Sequence, residues 1–512
     1  DLVRYDAYRQ FLAGSAASTE LDALLERFDA LVGELLARVD PARDAVMIVG
    51  PSPLDGTARL TMATLRAPGL EPGLLVSAYT RHSGIVSIVD VGPTVLDLFG
   101  IDRPPEMEGR PFERGRRGGD FEQRLEWVID IDEAARFRDR MVAPVTTFFA
   151  ISITVLTLIA AFALTRFRQL RTPVEVVSLM LLGTLPVTYL ARLLPFPDWG
   201  WLAYWAFLLG AGAMLGLAVW WFTSRHGIMT LIVMLSIIVG LICLDVVSGA
   251  RLQFNSVFGY TPTVAGRFAG IGNLAYAQLA AGMLLLAGLV AARVGGKRGA
   301  WIAIALLAFA LVVDGAPIFG ADVGGVLSMT PAYALAAAML LGWRIRWRLV
   351  VLFGAAALAL VGVFAAIDAS RSEDKQTHLG RLVHTAGDGG WDSFSTVIQR
   401  KLDANFSVLF SSTWSVMFPI VLVGVGYLVY SRPSGLRALS DRVRPIRASL
   451  AGLVVLAALG FALNDSGIAV PGMMLGVVAP TLIVLASRSD RLLTGDQSFD
   501  EEMEHLSELV RT

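Results

Sequence analysis

The sequence predicts a polytopic α-helical membrane protein of about eleven spans with an N-terminal extracytoplasmic α/β domain. Near Met141 a charged, water-compatible stretch gives way to long apolar segments that recur almost to the C-terminus. Of the 512 residues, 55% are hydrophobic and only 17% charged, and the mean hydropathy is +0.61. Both values lie outside the ordinary soluble range.

Residues 1–114 read as the α/β domain. Leu21, Leu24, Leu25, Phe28, Leu31, Val32, Leu35 and Leu36 recur at helical spacing and predict an amphipathic helix over 19–38. The apolar run Ala45–Val49, bounded by Pro41 and Gly50-Pro51, predicts a buried strand, and Ile85–Val89 predicts another. Thr94–Phe99 predicts a short helix, with Pro93 at its start and Gly100 past its end. Helices alternating with buried strands indicate an α/β layer. Over 115–140 an Arg-rich linker, Gly115–Gly119, precedes alternating acids and bases that predict a solvated helix leading into the first span.

Arg66-Ala67-Pro68-Gly69, Thr80-Arg81, Ser83-Gly84-Ile85-Val86, the run Asp90 to Ile101, and Pro104 through Pro111 resemble the C-terminal part of the alkaline-phosphatase superfamily. The resemblance spans residues 19–112 and implies the last sheet strand of that fold with the helix after it. In active members the strand matching Ala45–Val49 is followed by an Asp-His pair on a catalytic metal, whereas this chain has Gly50-Pro51-Ser52-Pro53. Gly and Pro carry no ligand side chain, and a lone Ser is a poor ligand for zinc or manganese. The resemblance therefore implies a degenerate, catalytically inactive domain, and the part bearing the family's nucleophile would precede Asp1. His82 has no Asp or His at metal spacing and reads as a surface or structural residue. Neither a metal nor a cofactor is expected.

The membrane part, 141–490, is predicted to span at 145–165, 174–194, 201–222, 228–247, 272–292, 299–314, 325–342, 349–367, 411–430, 448–463 and 470–487. Alternate loops collect Arg and Lys, from Arg166, Arg168 and Arg171 through Arg293, Lys297 and Arg298 to Arg488 and Arg491. Such loops face the cytoplasm. Arg192, Arg251 and Arg267 are exceptions on the other side. The N-terminal domain and the long loop 368–410 are thus expected outside a bacterial plasma membrane, and the tail 491–512 inside. A translocated domain also requires an export signal or first helix upstream of Asp1. The sole cysteine, Cys243, falls in a span, so no disulfide is expected.

Ionisable groups within spans cost ~2.5–3.5 kcal/mol on insertion scales, so their positions carry information. They gather at the predicted outer helix ends, in three segments: Asp245 with the loop to Asn273, Asp314 to Gly325, and Asn464-Asp465-Ser466-Gly467. Gly and Pro interrupting short apolar segments suit broken or re-entrant helices, whose freed backbone groups build binding sites. Arg267 near the N-terminus of the helix starting at Gly272 would suit a phosphate or carboxylate. The candidate substrate-binding residues are Arg267, Asn273, Asp314, Asp322, Asn464 and Asp465. His378 and His384 in the long loop lack a supporting ligand pattern, and 391–410 could form an amphipathic surface helix. No Walker A, Rossmann or His-Glu-x-x-His motif is present.

Three functions follow as expectations. The first is a protein that binds and moves or handles an anionic lipid-linked phosphate or glycan precursor, its exported domain serving as receptor or docking site for envelope proteins. The second is a membrane phosphotransferase, phosphohydrolase or glycosyltransferase of envelope biogenesis. The third is a non-catalytic assembly scaffold. No nucleic-acid partner is expected.

Overall fold

A computed structural model describes residues 14–51, 59–104, 107, 109–115, 119–263, 268–371, 412–430, 444–464 and 466–494. Contacts divide the chain into two compact units, Asp1–Arg138 with Thr261–Phe268, and Asp139–Tyr260 with Ala269–Thr512.

Among the described residues, the first element of the first unit is α1 (Gly14–Leu36), where the apolar spacing predicts a helix. Leu24 is buried, but Leu25, Phe28, Leu31 and Leu35 are exposed, so the described residues leave most of its apolar face uncovered. Strand β1 (Val46–Val49) pairs antiparallel with β2 (Ala63–Arg66), and β3 (Leu75–Ser77) pairs antiparallel with β4 (Phe112–Arg114). The described strands thus form two separate pairs. The strand predicted at Ile85–Val89 does not form: Ile85 makes one parallel bridge to Val76, and Ile88–Asp90 is a 3-10 turn. The Asp90 carboxylate is the cause, because it accepts the Ser87 N–H at 2.8 Å and turns the chain. Helix α2 (Val91–Leu98) follows directly.

Asp90 is fully buried and also accepts from Ser77 Oγ at 2.7 Å and the Arg110 N–H at 2.9 Å. Thr94 Oγ1 donates to the Asp90 carbonyl and accepts the Phe112 N–H. A Cβ on Gly109 would lie 1.9 Å from the Val89 carbonyl oxygen, so only glycine fits there. Asp90, Thr94, Gly109 and Arg110 therefore tie α2 to β4. His82 is structural: its Nε2 hydrogen-bonds to the Phe268 carbonyl at 2.7 Å, and Tyr79 stacks edge-on against the Phe268 ring.

Among the described residues, eleven helices are long and apolar enough to cross a membrane. They are α3 (Phe121–Arg166), α4 (Arg171–Leu190), α5 (Phe196–Thr223), α6 (Met229–Val247), α7 (Asn273–Val294), α8 (Gly296–Gly315), α9 (Val323–Leu340), α10 (Trp347–Ala369), α11 (Thr413–Tyr430), α12 (Arg444–Leu463) and α13 (Ala469–Thr494). The boundary between the units falls within α3, whose first part is the predicted charged helix. The apolar runs form helices because an apolar solvent offers no partner for exposed backbone groups.

Helices α7 and α13 are almost wholly enclosed, while α5 and α10 expose most of their apolar surface. Glycines set the closest crossing: a Cβ on Gly183 of α4 would meet the Gly212 carbonyl oxygen at 2.4 Å, and one on Gly216 of α5 would meet Met180 Cα at 2.5 Å. The spans predicted at 299–314 and 325–342 are helices of 20 and 18 residues. The Gly/Pro-rich segment between them is a turn joining the two. The loop beyond Arg371, including His378, His384 and the predicted surface helix, lies outside the described residues, as does the tail beyond Thr494.

Candidate functional site

The turn between α8 and α9 places two carboxylates side by side. Asp314 lies in the last turn of α8, and residues 316–322 fold back onto it. The Gly320 N–H bonds to the Val313 carbonyl at 2.9 Å and the Asp322 N–H to the Asp314 carbonyl at 3.1 Å, satisfying carbonyls that a helix end leaves open. The turn requires a left-handed residue, Ala321 at φ 51°. It also requires a glycine at 320, where a Cβ would lie 2.1 Å from the Asp314 carbonyl oxygen.

Asp322 then caps α9 through its carbonyl, which accepts the Val326 N–H. Gly325, one turn into the helix, lies between the two side chains. A Cβ there would lie 2.1 Å from Asp314 Oδ2 and 3.0 Å from Asp322 Oδ2. Those two oxygens are thus no farther apart than the two distances added together. Both side chains are buried. Placing two carboxylates so close in a low-dielectric region favours sharing a proton, a cation or a hydroxyl donor between them.

The start of α7 borders this pair. Gly270, at φ 83°, packs against the Gly320 carbonyl, which accepts the Ile271 N–H at 3.1 Å. The Gly272 N–H bonds to Gln253 Oε1. Gln253 is itself held by Asp245, which accepts from the Leu252 N–H at 2.7 Å, the Gln253 N–H and Gln253 Nε2. Asp245 is therefore a buried clamp for the loop after α6, not a wet interfacial group.

The turn before α13 closes the site. Asn273 Nδ2 donates to Ser466 Oγ at 2.6 Å, and the Ser466 N–H donates to Asn464 Oδ1 at 3.1 Å. The Leu463 carbonyl lies 3.3 Å from where a Cβ on Gly324 would stand, which sets the end of α12 against the first turn of α9. Asn273, Asp314, Asp322 and Asn464 thus meet at one end of the helical unit. Arg267 and Asp465 lie outside the described residues.

Tyr276 with Ser328, and Arg371, go beyond the sequence reading, as does the part Ser466 plays. Ser328 Oγ donates to the Gly324 and Gly325 carbonyls, so Tyr276 donates its hydroxyl to Ser328 and ties α7 to α9 beneath the carboxylates. Ser466 links Asn273 to Asn464. Arg371, paired with the buried Asp368 at 3.2 Å, donates to the Pro317 carbonyl at 3.1 Å and braces the turn. Hydroxyls are common in apolar helices, and only a pairing across the fold distinguishes these. Arg192, half-buried just past the end of α4, lies on the same side, since Tyr189 of α4 reaches the Phe258 carbonyl in the loop after α6.

Among the described residues, no three His, Cys, Asp or Glu side chains group as metal ligands. No protein-family profile, characterised protein or solved structure matches the chain.

Proposed function

We propose that the protein binds an anionic, lipid-linked phosphate or glycan precursor at the outer leaflet of a bacterial plasma membrane and moves or presents it there. The observation that carries this reading is the convergence of Asp314 and Asp322 on Gly325, bordered by Asn273 and Asn464, at one end of an apolar helical unit. Buried carboxylates and amides accept and donate to sugar hydroxyls, and a protonated carboxyl can exchange its proton as the ligand passes. Arg192, just past the end of α4, suits the phosphate, as does Arg267 by its place in the sequence before α7. In this reading the N-terminal unit lies outside the cell as a degenerate phosphatase-like receptor.

The test is reconstitution in liposomes with a fluorescent short-chain polyprenyl-diphosphate sugar. Asp314→Ala or Asp322→Ala should lower binding and translocation at least tenfold while the protein stays monodisperse. Wild-type behaviour in both variants would reject the site. Turnover of the sugar-phosphate bond by the wild-type protein would instead favour a transferase.

A further inference from the structure

The end of the helical unit opposite the carboxylates holds a second buried polar group, of a different kind. Arg488, near the end of α13, donates through Nε to Glu175 Oε1 at 3.0 Å and through Nη2 to the same carboxylate. Its Nη1 donates to Thr230 Oγ1 at 2.8 Å and to the Gly227 carbonyl. Glu175 belongs to the first turns of α4, and Thr230 to the first turn of α6. One guanidinium therefore joins three helices, and Arg488 and Glu175 are both almost fully buried. Along α4, Glu175 lies about 20 Å from Tyr189 at the other end. In the sequence Arg488 reads as one of the wet loop charges that orient the chain, yet it is enclosed.

Such a pair is a poor static brace. Desolvating both ions costs about as much as their attraction returns, and apolar side chains would join three helices equally well. What an ion pair offers is two states. Dry, it is locked by its geometry; once water enters, each ion recovers its hydration and separation becomes easy. A bundle that takes a ligand from one end and releases it elsewhere needs its far end closed while the near site fills.

We propose that the Arg488–Glu175 pair is the closure of this end, shut while the carboxylate end accepts its ligand and parted when the ligand moves on. This rests on the reading that the protein moves its ligand.

The reporter is Ser178→Cys in a Cys243→Ala background, Cys243 being the sole cysteine. Ser178 is fully buried, bonds only within its own helix to the Val174 carbonyl, and lies one turn from Glu175 on the same face. Full-length protein in nanodiscs, where reagent reaches both ends, is treated with a water-soluble maleimide. With the native pair the cysteine should stay protected. Glu175→Gln with Arg488→Gln should speed labelling at least tenfold, and the reversal Glu175→Arg with Arg488→Glu should restore protection to within a few-fold. A folded neutral variant as protected as the parent overturns the proposal, as does a folded reversal as reactive as the neutral variant. If the neutral variant does not fold, Arg488→Lys decides: labelling several-fold faster supports a closure, and unchanged labelling overturns it. Asp314→Asn separates the two readings. It should lose binding of the polyprenyl-diphosphate sugar without changing the labelling rate, and normal binding there rejects the site assignment while leaving the labelling result to judge the closure.

Discussion

Asp90 is held between opposing effects. Burial pushes its carboxyl above the ordinary range, and that effect outweighs the lowering by the Arg110, Ser87 and Ser77 donors. A carboxyl raised in the folded state contributes stability that is complete below its unfolded pKa and fades as pH rises through the folded value. The thermal stability of the first unit should therefore fall from acid toward neutral pH, and Asp90→Asn should flatten that slope. An unchanged slope in the variant would mean that Asp90 does not control it. The same scale shows what could be read in advance. Asp314 and Asp322 stand out because ionisable groups in apolar runs are costly. Tyr276 and Ser328, which meet across 52 positions, carry no such mark, and although Asn273 is a candidate by sequence, its pairing with Ser466 across 193 positions is not legible there. Gly325 is legible only in three dimensions, since its role is to leave room for two neighbours.

Elements were legible where one physical rule governs them. Apolar length alone locates the eleven helices. The Gly/Pro-rich link between α8 and α9 resembles a helix break in sequence because glycine serves both a break and a tight turn. The predicted strand at Ile85–Val89 failed because an apolar run records burial, while one side chain, that of Asp90, decides the bend. The α4–α5 crossing gives an element-scale expectation. Gly216→Leu should force the helices apart and destabilise the unit by about 3 kcal/mol or more, by the logic of overpacking. Thermal unfolding in detergent measures it, and a melting temperature unchanged from wild type would contradict the backbone contact at Met180.

For the whole molecule, composition establishes the membrane class, but not which helices line the interior. Most of the apolar length of α7 and α13 is enclosed, and most of that of α5 and α10 is exposed, although all four are strongly apolar. A photoactivatable lipid probe should therefore label Phe196–Thr223 and Trp347–Ala369 heavily and spare Asn273–Val294 and Ala469–Ser489. Comparable labelling of all four would contradict this packing.

The segment Thr261–Phe268 leaves the helical unit after α6, contributes to the first unit, and returns to begin α7. Its Phe268 supplies both the carbonyl for His82 and the ring against Tyr79. A fragment ending at Arg138 would lack that piece. The first unit is thus assembled from two stretches of chain separated by α4, α5 and α6, and no single contiguous stretch that omits those helices contains it.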